Sequence, residues 1–339
     1  MKPFFTKALL ALFSIWFTNA DAQNAGFSAV LAFGDSILDT GNNNLLMTVS
    51  KCNFFPYGRD FPGHRPTGRF GNGRVVSDLV AEGLGIKTLL PAFRNPLLSS
   101  NELPTGVCFA SGGSGIDKVT ASIQGVIWVP DQLRDFQRYI ERLNSAVGDP
   151  QKANEIISNA VFLISAGNND LAITYFSTPA RMTRYTISRY TDMLIEWTTT
   201  FLKNLYDLGA RKFAVLGTLP LGCLPGAKRM TGGMLCLPNV NYGAKMFNNK
   251  LSNLVNQLNE NLPDAKFVYV DMYTYLMELV ENPAKNGFLT AAKSCCCMVA
   301  SPVPCLDASR YVFWDFGHPT QKAYETILPN ILNDIRSLS

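Results

Sequence analysis

Three polar loops follow short apolar runs in this sequence, and a fourth polar stretch lies near the carboxyl terminus. The loops are Gly34-Asp35-Ser36, Ser111-Gly112-Gly113 and Gly167-Asn168-Asn169, and the stretch is residues 315–318. A serine hydroxyl becomes a nucleophile when an imidazole takes its proton and a carboxylate orients that imidazole. The Ser, His, Asp, Gly and Asn side chains at these places are those that acyl transfer through a covalent intermediate requires.

Two residues can supply the imidazole of a general base, because the chain has two histidines, His64 and His318. His64 has no obvious carboxylate partner nearby and is interpreted as a solvated loop residue. His318 follows Asp315 by three residues, so the carboxylate can reach its Nδ1 from the same turn. Ser36, at a predicted strand end, is the candidate nucleophile, and Asp35 is expected to organise its loop through backbone hydrogen bonds, as is Asp39.

The negative oxygen of a tetrahedral intermediate needs hydrogen-bond donors that are already in place. Gly113 is small enough for its backbone N–H to approach closely, and the side-chain amide of Asn169 can add a second donor. Each loop alone has a simpler interpretation, as a tight turn, a helix cap or a surface turn. Their occurrence together, in this order, favours a catalytic site.

Five short apolar runs predict the strands that must carry these loops. The runs are rich in Val, Ile and Phe, as buried strands are. Helical patterns lie between them, so the sequence predicts an α/β protein with a parallel sheet covered on both faces. In such sheets the chemistry lies beyond the carboxyl ends of the strands. The runs are residues 29–33, 106–110, 161–165, 212–216 and 266–270.

Helices are predicted from apolar residues at three- to four-residue spacing and from end signals. Gly209 is expected to end a long helix that begins near Thr183. Pro319 is expected to open the last helix, and Pro329 to kink or interrupt it. The irregular stretches near 42–72, 85–104 and 284–312 are expected to contact substrate. The two clearest apolar stripes are Leu133, Phe136, Ile140 and Leu143, and Phe247, Leu251, Leu254, Leu258 and Leu262.

Composition excludes several classes of protein. A chain of 339 residues with 47% hydrophobic and 17% charged residues is neither disordered nor a small disulfide scaffold. The net charge of +4 comes without a Lys/Arg block, which argues against a nucleic-acid partner. Two histidines and the lack of a CxxC pair argue against a metal site. The sequence contains no linker or repeat, so we expect one domain over residues 23–339.

The amino terminus has the three parts of a secretory signal peptide. Lys2 and Lys7 form a basic start, an apolar run covers residues 8–17, and Ala20-Asp21-Ala22 supplies the small residues before a cleavage site. The apolar run is too short to span a bilayer. The sequence therefore predicts a signal peptide at 1–22 and a secreted, extracellular mature protein without a transmembrane anchor.

Eight cysteines in an oxidising compartment indicate disulfide bonds. Cys223 and Cys236 lie in one Gly/Pro-rich loop and are expected to pair. Residues 295–305 hold four more, which suggest one or two further bridges, although adjacent cysteines rarely bond each other. Cys108 lies in an apolar run and is interpreted as a buried thiol.

Four sequence blocks resemble those of the plant GDSL esterases/lipases in the SGNH hydrolase superfamily. They are Phe-Gly-Asp-Ser at 33–36, Ser-Gly-Gly-Ser-Gly at 111–115, Gly-Asn-Asn-Asp at 167–170, and Asp315 with His-Pro-Thr at 318–320. The resemblance runs from about residue 27 to the end, and it is closest to the secreted extracellular lipase subgroup. The G-x-S-x-G elbow of the α/β-hydrolases is absent around Ser36.

The resemblance implies a three-layer α/β/α, flavodoxin-like fold with a five-stranded parallel sheet. It implies that Ser36 is the nucleophile, His318 the base and Asp315 its orienting acid. The implied oxyanion hole consists of the Ser36 and Gly113 backbone N–H groups and the Asn169 side chain. The protein would then be a monomeric serine ester hydrolase that cleaves lipid or other acyl esters through an acyl-enzyme, without a cofactor or metal.

Three residues depart from the family pattern. Cys108 replaces an Asn or small polar residue, Gly317 replaces a bulky residue before the histidine and is expected to loosen that loop, and Cys297 replaces a Gly. Gly317 and Cys297 motivate an alternative hypothesis, a catalytically weak or silent lipid-binding coat protein on the same fold. A third hypothesis is acyl transfer to a hydroxyl acceptor, which would use the same acyl-enzyme.

Overall fold

Four parallel strands form the central sheet of the computed structural model, which describes residues 26–233, 235–297 and 303–339. The strands lie in the order in which they occur along the chain, and β1 pairs in register with β2 from Val30 opposite Val161. The predicted signal peptide at 1–22 lies outside the described residues. The strands are β1 Val30–Gly34, β2 Val161–Ser165, β3 Lys212–Leu216 and β4 Lys266–Val270.

The predicted fifth strand, residues 106–110, is not a regular strand, so the five-stranded count was wrong. Cys108 forms an isolated parallel bridge with Ala32 of β1. On its other side the Cys108 N–H donates to the Pro91 carbonyl at 2.9 Å, and its own carbonyl accepts the Asn42 side-chain amide at 2.9 Å. The segment still bonds β1, because the Phe109 N–H donates to the Ala32 carbonyl at 2.7 Å and the Ala32 N–H donates to the Val107 carbonyl at 3.2 Å. It therefore lies beside β1 as a single bridge instead of a regular strand.

The position of this segment sets the topology. Residues 106–110 come before β2 in the chain but lie on the opposite side of β1 from β2. The direction of winding therefore reverses at β1. In open α/β sheets such a reversal leaves a crevice at the carboxyl end of the strand, where ligands bind. The fold thus provides a site beyond Gly34.

Helices cover both faces of the sheet. The two predicted apolar stripes are confirmed on α3 (Gln132–Val147) and α8 (Pro238–Asn261). Thr186 caps α6 (Ile187–Asp207) by accepting the Arg189 N–H at 3.2 Å, so this helix begins later than predicted. Gly209 follows its end in the left-handed region, with φ of +103°. The helices in the described ranges are α1 Val76–Gly83, α2 Lys118–Gln124, α3 Gln132–Val147, α4 Pro150–Asn159, α5 Pro179–Met182, α6 Ile187–Asp207, α7 Pro225–Lys228, α8 Pro238–Asn261, α9 Met272–Glu281 and α10 Gln321–Arg336.

The last helix begins at Gln321, two residues after the predicted start at Pro319. Thr320 is its N-cap, since its Oγ1 accepts the Ala323 N–H at 3.1 Å. The helix continues past Pro329 to Arg336, so the proline does not interrupt it. Among the described helices, none is long and apolar enough to cross a membrane.

A second, two-stranded sheet was not predicted, and it carries the stretch with His318. Its strands are β5 Thr290–Ser294 and β6 Tyr311–Phe313, which pair in parallel. Beyond β6 the chain turns back sharply, and the Trp314 N–H donates to the His318 carbonyl at 2.8 Å. Residues 314–318 are therefore a closed turn at the end of a strand, which we name the His318 turn.

The predicted Cys223–Cys236 disulfide is confirmed, and Cys295 pairs with Cys305. The structure also joins the neighbours Cys296 and Cys297, a pairing that we had not expected. Cys297 has φ of +68°, a backbone conformation that favours glycine, which is the residue the family pattern has there. Cys108 is buried and unpaired, as predicted.

Candidate active site

The chain after β1 folds around a buried carboxylate. We name residues 35–42 the Ser36 turn. The Asp39 side chain accepts backbone N–H groups from Gly41 at 2.7 Å, from Asn42 at 2.8 Å and from Gly112 at 2.8 Å. The first two contacts shape the turn, and the third ties it to the glycine-rich loop after residue 110. Burial raises the pKa of Asp39 to about 6.

Asp35 connects the same turn to the end of β2. Its Oδ1 accepts the Ser165 hydroxyl at 2.9 Å and the Ile37 N–H at 3.1 Å, and its Oδ2 accepts the Asn168 amide at 2.9 Å. Burial raises the pKa of Asp35, and these neutral donors only partly offset it. Asp35 and Asp39 therefore organise the loop, as predicted.

Ser36, His318 and Asp315 lie in one hydrogen-bonded line, and all three are buried. Ser36 Oγ is 2.8 Å from His318 Nε2. His318 Nδ1 is 2.8 Å from Asp315 Oδ1 and 2.9 Å from Asp315 Oδ2. The structure thus brings together residues that are 282 positions apart in the chain. We name them the Ser-His-Asp cluster.

Asp315 is held in place from three directions. Its Oδ1 also accepts the backbone N–H groups of Gly317 and His318, each at 2.8 Å, and its Oδ2 accepts the Tyr57 hydroxyl at 2.8 Å. Burial raises the pKa of this carboxyl, but His318 and the hydrogen-bond donors outweigh burial, so the net pKa lies below the ordinary value. The group that faces the imidazole is an ionised carboxylate.

The turn around Gly317 does not depend on a bulky side chain. No heavy atom lies within 4 Å of the place where a Cβ would be added to Gly317. The turn is closed instead by Asp315, which accepts the Gly317 N–H. The loosening expected from this glycine is therefore not supported by the hydrogen bonding.

Tyr57 is a residue of the site that the sequence analysis missed. It is buried and belongs to the irregular stretch 42–72, which was predicted only as a substrate-contacting loop. Its hydroxyl donates to Asp315, 258 positions away. No periodicity or local spacing in the sequence links Tyr57 to Asp315, so only the folded structure reveals the contact.

The predicted oxyanion donors lie on the loops after residue 110 and after β2. Asn169 Nδ2 donates to the Ser114 carbonyl at 2.8 Å, which orients the amide beside the glycine-rich loop. Gly113 has φ of +80°, and an added Cβ would lie 3.2 Å from Ser50. Asp170 ties the same loops together, because it accepts the Ile116 N–H at 3.0 Å. Gly113 and Asn169 therefore share one wall next to the Ser36 turn.

His64 does not join this cluster. His64 is exposed, and its Nδ1 lies 2.7 Å from the Arg59 carbonyl, which agrees with its interpretation as a loop residue. The Phe70 ring lies 5.2 Å from the His318 ring and forms part of the wall behind the imidazole. In the described ranges, no group of three or more His, Cys, Asp or Glu residues is arranged to hold a metal ion.

A parallel sheet that reverses its winding at β1, with a Ser-His-Asp cluster beyond that strand, defines the SGNH class of α/β/α proteins. The model of the GDSL-like lipase/acylhydrolase family matches residues 30–330 of this chain. The chain therefore belongs to the GDSL family of carboxylic ester hydrolases, and the resemblance inferred from its motifs is confirmed.

Curated relatives from Arabidopsis thaliana match almost the whole chain. The GDSL esterase/lipase At5g63170 is 63% identical over 308 residues, which are 91% of this chain and 91% of that protein. The GDSL esterase/lipase At1g23500 is 61% identical and covers 96% and 94% of the two chains. The GDSL esterase/lipase EXL4 is 50% identical and covers 97% of each.

Proposed function

We propose that this protein is a secreted serine hydrolase that cleaves lipid or other acyl esters through an acyl-enzyme. The observation that carries the proposal is the line of hydrogen bonds from Ser36 Oγ through His318 to Asp315, beyond the carboxyl end of β1. The names of the Arabidopsis relatives, which call them esterases/lipases, support the ester as substrate.

The first step of the proposed reaction forms a tetrahedral intermediate. His318 Nε2 takes the proton of Ser36 Oγ while Oγ attacks the carbonyl carbon of the ester. Asp315 stabilises the imidazolium that forms. The carbonyl oxygen becomes an oxyanion, which accepts hydrogen bonds from the Ser36 and Gly113 N–H groups and from the Asn169 amide.

The following steps form the acyl-enzyme and release the two products. The imidazolium of His318 gives its proton to the oxygen of the departing alcohol, and the ester bond breaks, which leaves the acyl group on Ser36. A water molecule then attacks the acyl carbonyl while His318 takes one of its protons. Collapse of this second intermediate returns the proton to Ser36 and frees the carboxylic acid.

Hydrolysis of nitrophenyl esters of graded chain length by purified protein tests this proposal. We expect Ser36→Ala to lower kcat by about ten-thousand-fold or more, because the remaining groups cannot form the acyl-enzyme. Ser145→Ala is the matched control, since Ser145 is an exposed residue of α3 that bonds only the Glu141 carbonyl. Turnover that survives Ser36→Ala would exclude Ser36 as the nucleophile.

A fluorophosphonate probe separates the enzyme from the silent coat protein. An activated Ser36 becomes labelled, and mass spectrometry locates the label, whereas a silent protein stays unlabelled. Product analysis with a polyol present separates hydrolysis from acyl transfer, because a transferase forms a new ester.

We also propose that residues 1–22 are removed on secretion and that residues 23–339 form one monomeric domain. Amino-terminal sequencing and sedimentation of the secreted protein test both statements.

A further inference from the structure

Exposed apolar side chains are concentrated in residues 45–55. Their exposed fractions run from 52% for Phe54 to 100% for Met47. Among the described residues, no other stretch of this length holds more than two large apolar side chains that are exposed. Isolated apolar side chains are normal on a protein surface, but a group of this kind marks an interaction surface. The members of the group are Leu45, Met47, Val49, Phe54 and Phe55.

This group lies at the edge of the Ser-His-Asp cluster. On one side, Thr48 Oγ1 donates to the Gln124 carbonyl at 2.6 Å, and Ser50 lies 3.2 Å from the Cβ position of Gly113. On the other side, the Phe54 ring packs 5.4 Å from the ring of Tyr57, which bonds Asp315. The segment therefore passes along the loops that carry both the predicted oxyanion donors and the buried acid.

A further exposed apolar side chain, Phe316, lies on the His318 turn itself. Its side chain is 55% exposed, and its ring centroid lies 6.1 Å from that of His318. We name Phe316 and the five exposed residues of 45–55 the apolar rim. Because each part of the rim is adjacent to the turn or loops of the site, whatever covers the rim also covers the entrance to Ser36.

The charges in this segment suit a lipid surface. Residues 40–58 contain neither Asp nor Glu. Their single charged residue is Lys51, whose Nζ donates to the Leu46 carbonyl at 3.1 Å. The segment has no carboxylates, which would repel phosphate headgroups, and its lysine would be attracted to those headgroups.

We propose that the apolar rim docks the protein on the surface of a lipid aggregate, from which the acyl ester enters the site. This inference rests on the proposed function. An occupant that covers the entrance must also contain the substrate, or it would block the reaction. A lipid surface meets that condition, whereas a protein partner or a second copy of the chain does not. Transfer of the exposed Met, Val, Leu and Phe side chains out of water favours the docked state.

Flotation with phosphatidylcholine vesicles tests the docking, with and without phosphatidylserine. We expect the full chain to float with the vesicles, and Met47→Ser/Val49→Ser to lower the partition coefficient by roughly tenfold or more. Leu289→Ser is the matched control, with an expected change below about twofold. Leu289 is an exposed apolar residue just before β5, at the end of the β5–β6 pair away from the His318 turn.

The same experiment in Ser36→Ala protein separates docking from catalysis, since vesicle binding needs no turnover. Rim-dependent flotation of the unsubstituted chain, if that chain hydrolysed no ester, would support docking and contradict the proposed function. Hydrolysis of soluble esters without flotation would overturn docking alone. An equal loss with Leu289→Ser would also overturn it. Sedimentation tests whether the rim instead binds a second copy of the chain. If the unsubstituted chain is a dimer and the rim variant is a monomer, the rim is a dimer interface and the lipid proposal is wrong.

Discussion

The Ser36 turn and the His318 turn are both built around buried aspartates, but their electrostatics differ. Asp35 is surrounded by hydroxyl, amide and backbone donors, and burial raises its pKa. Asp315 is equally buried, yet its pKa is lowered because His318, Gly317 and Tyr57 together outweigh burial. Burial alone therefore does not mark the orienting acid of such a site. A direct hydrogen bond to the imidazole distinguishes Asp315 from Asp35, on which His318 acts only through its charge.

The two turns combine local and distant contacts in the same way. Asp39 accepts two backbone N–H groups two or three residues along the chain and a third from Gly112, 73 residues away. Asp315 accepts two N–H groups from its own turn and the hydroxyl of Tyr57, 258 residues away. Each turn therefore depends on the rest of the fold as well as on its local bonds.

The strongest test of this comparison is to neutralise each aspartate separately. We expect Asp315→Asn to lower kcat for ester hydrolysis by about a thousand- to ten-thousand-fold, because an amide neither orients the His318 tautomer nor stabilises the imidazolium. Asp35→Asn should lower kcat by less than about tenfold, and its main effect should be a lower midpoint of thermal unfolding. Steady-state kinetics and thermal melting measure the two effects. Equal losses of kcat would show that the difference in electrostatics has no catalytic meaning.

An intermediate loss of kcat is expected when Asn169, on the wall beside the Ser36 turn, is replaced. Asn169→Ala should lower kcat by about a hundred- to a thousand-fold with KM little changed, since the proposed amide contact forms in the transition state. Asn168→Ala is the neighbouring control. Asn168 bonds Asp35 at 2.9 Å and accepts the Leu219 N–H at 3.0 Å, so its loss should mainly lower the thermal midpoint. A rise in KM at constant kcat for Asn169→Ala would assign that residue to substrate binding instead.

The smallest effect is expected from Tyr57→Phe. The Tyr57 hydroxyl helps to lower the pKa of Asp315, so its removal raises that pKa and makes the carboxylate more basic. The acid limb of kcat/KM should therefore move to higher pH, by roughly half a unit.

Tyr139→Phe is the matched control for this shift. Tyr139 is also buried, but its hydroxyl donates to the Leu103 carbonyl at 2.8 Å, away from the His318 turn. The Tyr139→Phe variant should be less stable than the unsubstituted protein but keep the same pH profile of kcat/KM. If both variants shift the acid limb equally, the contact between Tyr57 and Asp315 has no specific role in the titration.

Local signals in the sequence predicted much of the fold and of the site. Four apolar runs became β1 to β4, and the three-residue spacing of Asp315 and His318 indicated their contact. The run at 106–110 lies beside β1, but it forms a single bridge instead of a regular strand. Its other side bonds Pro91 and Asn42, which no pattern within the run reveals. Tyr57 was missed for the same physical reason, since its partner is distant in the chain.

The separation of 282 positions between Ser36 and His318 has a consequence for the timing of synthesis. The ribosome makes Ser36 early and His318 near the end, so a nascent chain carries the serine without its base. An ester hydrolase secreted as we propose crosses a membrane that is itself made of acyl esters. With the base added last, such a chain remains inert while it is threaded through that membrane and acquires activity only on release.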